Sequence, residues 1–149
     1  MISIRSICIF TAFSGLIACS NVRESGDIDG IYCQKYEIEN VDNLDMAFMR
    51  INGLAKMINQ HVEGCSDYEF DTVHHTITFS MPVLVHNRTV GMETRISVNK
   101  GGVTIWFAFN RFIGGESNKE FLTKDEMEAL FDKEENLFNR IKSVIHGGA

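Results

Sequence analysis

The chain has 149 residues, of which 44% are hydrophobic and 23% charged, and a net charge of −6 at pH 7. That length supplies one domain with a core of its own, without help from metals or many disulfides. Twenty acidic residues against 14 Lys and Arg argue against nucleic acid as a partner and against a polybasic grip on anionic lipid.

The first stretch to read is the N-terminus. Arg5 is the one charge before an uncharged run over residues 6–17. The run has the length of a signal-peptide core and is too short to span a bilayer. It ends in Leu16-Ile17-Ala18-Cys19: apolar, apolar, small, Cys. This order resembles the lipobox of bacterial lipoproteins, over residues 1–20 only. The resemblance implies cleavage before Cys19, a diacylglycerol thioether on its thiol and acylation of the new amine. Only a thiol forms that link, and several acyl chains on one residue make a lasting anchor where one is reversible. Ser20 stands where an Asp would mark inner-membrane retention, so the resemblance points to the periplasmic face of the outer membrane. The other readings of the run are an ordinary secretory signal, which leaves a free domain, and a retained N-terminal helix.

Cleavage would remove Arg5 and Cys8 and leave residues 19–149 with a charge of −7. Cys33 and Cys65 then remain as an even pair in an oxidising compartment, which reads as a disulfide. The alternative is two buried free thiols. Residues 20–30 are polar, with two Gly, and read as a flexible tether.

The domain spans residues 31–149. Tyr32, Tyr36 and Ile38 recur at period two and predict a short strand. Residues 42–62 predict a helix: Leu44, Phe48, Ile51, Leu54, Ala55, Ile58 and Val62 make one stripe. Asp42 or Asn43 caps it, Asp45 suits its positive end and Gly64 stops it. Residues 68–109 read as an antiparallel sheet. Pro82, inside the run Ile77, Phe79, Met81, Val83, Val85, marks an edge, a bulge or a break. Residues 86–89 read as a turn, then Met92, Thr94, Ile96 and Val98 alternate with polar residues. Asn99-Lys100-Gly101-Gly102 is a hairpin turn, and Val103, Ile105, Phe107 and Phe109 form the next apolar face. Residues 110–121 read as a loop. The capping-box sequence Thr123-Lys124-Asp125-Glu126 opens a second helix with Leu122 and Met127 as its staple. Leu130, Phe131, Leu137, Phe138, Ile141, Val144 and Ile145 form its stripe. The fold class is α+β: an antiparallel sheet of three to five strands with two amphipathic helices on one face.

No catalytic constellation stands out. His61, Cys65, His74 and His75 match no closed metal spacing, so the histidines read as surface or turn residues. Glu63, Asp67, Glu69 and Asp71 are four carboxylates with no assigned cleft. Ser66 and His75 lack a nucleophile-elbow motif. No cofactor and no metal is expected.

Trp106 and Arg95 fall on the outer face of the hairpin, and Arg111 and Phe112 extend that patch. Trp and Arg on an exposed face are typical interface anchors; the alternative is a Trp106 covered by a helix or loop. The first expectation is a non-enzymatic, membrane-tethered protein-binding module. Its partner would be an envelope protein, of basic charge if the acidic surface meets it. An inhibitor or immunity-type role and an accessory role in an envelope or secretion assembly both fit. A carrier or sensor of a small apolar ligand between sheet and helices is the alternative, and a hydrolase the second.

Overall fold

The structure, a computed structural model, describes residues 3–9, 20–21, 32–113 and 122–147, with side chains over 33–109 and 122–147. Its strands are β1 (Ser3–Ile9), β2 (Ser20–Asn21), β3 (Tyr32–Ile38), β4 (Ser66–Asp71), β5 (Thr76–Val85), β6 (Arg88–Asn99) and β7 (Gly102–Ile113); its helices are α1 (Leu44–His61) and α2 (Lys124–Ile145). The fold is α+β, as expected. Strands β3 to β7 form an antiparallel sheet in the order β3-β7-β6-β5-β4, with both helices packed on one face.

Beyond β3 the order continues to β1 and β2. Here Ser3–Ile9, assigned to a leader by the sequence, runs antiparallel to Tyr32–Ile38. Ser20–Asn21, at the start of the expected tether, pairs with Cys8 and Ile9. Cys19 and most of the tether lie outside the described residues.

Period-two alternation decides which side chains enter the core. Ile77, Phe79, Val83 and Val85 from β5, Met92, Ile96 and Val98 from β6, and Val103, Ile105, Phe107 and Phe109 from β7 are all buried. The helices cover them with Phe48, Ile51, Ala55 and Ile58 from α1 and Leu130, Leu137, Phe138 and Ile141 from α2. Tyr36 joins the layers, stacking on Phe138 at 4.7 Å and meeting Phe107 edge-on at 5.4 Å. Such aromatic contacts add about 0.5–1.5 kcal/mol each beyond area burial. Thr94 is fully buried among these apolar groups, and its hydroxyl has no hydrogen-bond partner.

The helix ends follow local chemistry. Asn43 caps α1 by accepting from the Met46 amide at 3.0 Å. Thr123 and Glu126 form the capping box of α2 in both directions, at 3.2 and 2.9 Å. Gly102 has φ +127°, and a Cβ there would lie 2.2 Å from the Ile38 carbonyl oxygen. Only glycine fits where the hairpin turn passes the end of β3.

One open expectation about the sheet is decided, for an edge, and one changes. Pro82 does not break its strand. It lies opposite Gly91 within β5, and β4 reaches only as far as Ser80, so the β4 side of β5 is a local edge at Pro82. An edge needs no donor there, which is how the proline is tolerated. Residues 110–113 are not loop, because β7 runs on to Ile113 beside the first residues of β6.

A contact invisible in the local pattern ties the β5–β6 hairpin to α2. Arg88 donates from both Nε and Nη2 to the Glu126 carboxylate, the Nε bond being 2.7 Å. This fork holds the Glu126 carboxyl down at about 2 from its ordinary 4.5, chiefly through the Arg88 hydrogen bonds, against desolvation. A carboxyl depressed in the folded state adds stability that is complete above its unfolded value of 4.5 and lost as pH falls toward 2. Urea midpoints measured from pH 7 to 2 should therefore fall through that window. Glu126→Gln should lower stability at pH 7 by about 1–3 kcal/mol and flatten the acid slope. An unchanged slope in the variant would assign the acid loss to other groups.

Candidate functional site

The sheet's second face carries its chemistry in rows, fixed by the same register that fills the core. One row reads Lys35, Trp106, Arg95, Thr78, Glu69 across β3, β7, β6, β5 and β4. Trp106 stands directly opposite Lys35 on one side and Arg95 on the other. Directly opposed residues lie about 4.5–5.5 Å apart at Cβ, so the indole has a cationic side chain on either flank. The row on one side carries Glu37, Thr104, Ser97 and Thr76; the row on the other carries Cys33, Ala108, Glu93 and Ser80. Lys35 also reaches Glu37 at 2.9 Å.

Among the described residues no helix packs on this face, since the buried residues of both helices join the core on the other side. Trp106, Arg95, Lys35 and Glu93 are half-buried, whereas Cys33 and Ala108 are 1% exposed. The face is therefore a mixed surface of one aromatic, two cations and several carboxylates and hydroxyls. It offers stacking area and ion pairing.

The structure brings Arg95 and Trp106 together, as the alternation implied. Arg111 and Phe112 are not past the strand but within β7, opposite Gly91 and Val90. Their side chains lie outside the described residues. Lys35 was missed. Its place opposite Trp106 depends on β3 pairing with β7, a contact between residues some 70 apart that leaves no local signal.

The Cys33–Cys65 pairing is overturned. Cys65 carries a free thiol. Cys33 lies in β3, while Cys65 precedes β4 at the far side of the sheet, four strand positions away. Neighbouring strands are about 4.8 Å apart, so four steps span roughly 19 Å. A disulfide needs Cα atoms within about 7 Å. In the β1–β3 register the residue opposite Cys33 is Cys8.

Asp67, Glu69 and Asp71 are not before the sheet but within β4, and Asp71 with His74 builds the turn that leads to β5. Asp71 accepts from the amides of Val73 and His74 at 2.9 and 3.0 Å and pairs with His74 Nδ1 at 2.7 Å. These hydrogen bonds, the His74 amide foremost, lower the Asp71 carboxyl below its ordinary range. His75 has φ +54° and packs on Phe48 at 5.3 Å. His61, His86 and His146 are exposed. Among the described residues no group of three or more His, Cys, Asp or Glu could hold a metal ion, and none of their helices is long and apolar enough to cross a membrane.

A concave feature lies where α1 ends, between α2 and the β5 edge. Ile58, Val62, Met81, Pro82, Val83, Leu84, Met92 and Leu137 give it apolar walls, and Lys133, Asn136 and Arg140 line it from α2; its volume is about 230 Å³. Sequence periodicity finds the apolar walls, but not that the helices part over them.

No protein-family model and no curated protein matches the chain. Among solved structures, the chain is similar to the crystal structure of a TBP-like protein from Parabacteroides distasonis ATCC 8503. The TM-score is 0.60 with 21% identity, over 86% of this chain and 98% of that one. At that identity the likeness is one of fold: a five-strand antiparallel sheet with two helices on one face.

The thiol assignment has a direct check. Cys65 is half-buried, and burial pushes its thiol up from 9.0. Iodoacetamide should label Cys65 without prior reduction, slowly at pH 7 and faster above pH 9, as the thiolate forms. A Cys65 that labels only after reduction would restore a disulfide at that position.

Proposed function

We propose that this protein is a lipid-anchored envelope module that binds another protein through the sheet face that carries Trp106. The observation that carries the reading is Trp106 standing between Lys35 and Arg95 at the centre of that face. Trp and Arg are among the residue types that most often dominate binding energy in protein interfaces. The rows beside it supply carboxylates and hydroxyls that would form a polar rim. The balance of 20 acidic against 14 basic residues favours a basic protein partner over nucleic acid. No step of this role requires catalysis.

The tether comes from the Leu16-Ile17-Ala18-Cys19 resemblance. Lipid on Cys19 would hold the domain at the membrane and raise its concentration near envelope partners. Cleavage before Cys19 would also remove β1 and leave β3 held by β7 alone. Among the residues whose side chains are described, the core is built from β3 to β7 and both helices.

Two measurements test the two halves of the proposal. Intact mass of the protein extracted from its own membranes should show a chain starting at a lipid-modified Cys19, with the lipid mass absent in Cys19→Ser. An unmodified chain starting elsewhere would remove the tether. A photo-crosslinking residue placed at position 106 in cells should give a discrete adduct with one envelope protein, reduced at least tenfold by Arg95→Glu. An adduct pattern unaffected by that charge reversal would remove the sheet face as the binding surface.

A further inference from the structure

The pocket at the end of α1 has a cause in strand lengths. β4 has 6 residues and β5 has 10, and their pairing stops at Ser66 opposite Ser80. Past that point Met81, Pro82, Val83 and Leu84 are paired with β6 on one side and have no β4 residue on the other. The chain after α1 crosses this edge closely: a Cβ on Gly64, where φ is +88°, would sit 2.9 Å from the Pro82 ring. The space left between α1, α2 and β5 is walled by eight apolar residues and measures about 230 Å³. An apolar cavity of roughly 150 Å³ is enough for a benzene ring, and at roughly 30 Å³ per water-sized group this one takes a chain of about seven or eight heavy atoms.

The fourth side is polar and of one sign. Lys133, Asn136 and Arg140 line the pocket from successive turns of α2. Lys133 and Arg140 are seven residues apart, about 10 Å along the helix axis, with Asn136 between them. Both cations are exposed, and among the described residues neither makes an ion pair or hydrogen bond. Two unpaired cations converging on one apolar pocket are unusual in a chain of net charge −6. Apolar walls set the body of a ligand and a few polar groups at the mouth set its head; here the head must be an anion that also accepts hydrogen bonds.

We infer that this pocket binds a carboxylate on a short apolar chain, of the size of octanoate. The chain lies against Ile58, Val83, Met92 and Leu137, and the carboxylate takes the forked donors of Arg140, with Asn136 and Lys133 beside it. A two-chain phospholipid exceeds the volume. This site is separate from the Trp106 face and does not rest on the reading of that face.

The test uses the full chain with 13C-labelled methionine methyl groups and octanoate as the added ligand. Met81 and Met92 line the pocket, while Met46, Met49 and Met57 are 46%, 57% and 46% exposed on α1 and serve as internal controls. Octanoate should shift Met81 and Met92 saturably and leave the other three in place. Octanol should bind at least tenfold more weakly, and octylammonium more weakly still. The double variant Lys133→Gln, Arg140→Gln replaces exposed side chains, so its thermal melt should be unchanged and its octanoate affinity should drop to that of octanol. No shift of Met81 and Met92 at millimolar octanoate overturns the inference. So does equal affinity for octanoate and octanol, or full octanoate affinity in the double variant.

Discussion

The structure depends on one constraint: each strand must place every second side chain under the helices. Ile77, Phe79, Met92, Ile96, Ile105 and Phe107 meet that demand from three adjacent strands. A register slip of one residue would put them all in water and the polar set in the core. The positions between them are therefore assigned to the other face without further choice. Trp106 lies between Ile105 and Phe107, and Arg95 lies between Thr94 and Ile96, so core packing aligns the two across the β6–β7 ladder. The surface proposed to bind a partner is thus positioned by the hydrophobic effect acting on the opposite side.

The helices answer to the same sheet but do not cover it evenly. Phe48 stacks on Phe70 of β4 at 4.9 Å, which draws the start of α1 toward that edge. Tyr68 donates to the buried Asn52 amide oxygen and holds the middle of the helix there. At the other end β4 no longer flanks β5, and the helices leave the pocket beneath Lys133 and Arg140. Arg88 pins the first turn of α2 through Glu126, at the turn that joins β5 and β6. One short strand thereby decides where the core is closed and where it opens.

What the sequence revealed and what it hid divide along one line. The β6–β7 alternation, the turn before Gly102, the Asn43 cap and the Thr123–Glu126 box are written within a few residues, and all were legible. Everything that needed a partner distant in the chain was not. The Cys33–Cys65 pairing failed because counting cysteines ignores the four strand positions that separate them. Pro82 is tolerated because of where β4 stops, and Arg88 finds Glu126 because α2 returns to the β5–β6 turn. Lys35 beside Trp106 and the cations over the pocket belong to the same class. Residues 110–113 continue β7 because β6 offers them a ladder; their own pattern resembles a loop.

The central claim is that the face bearing Trp106 is open to a partner rather than part of the core. Trp106 is the one tryptophan in the chain, so its fluorescence reports that face alone. In the purified protein, acrylamide should quench it at a substantial fraction of the rate for free tryptophan, with an emission maximum near that of partly hydrated indole. Blue-shifted emission that acrylamide does not quench would mean that the face is covered in the folded protein, and the account of it as a binding surface would fail.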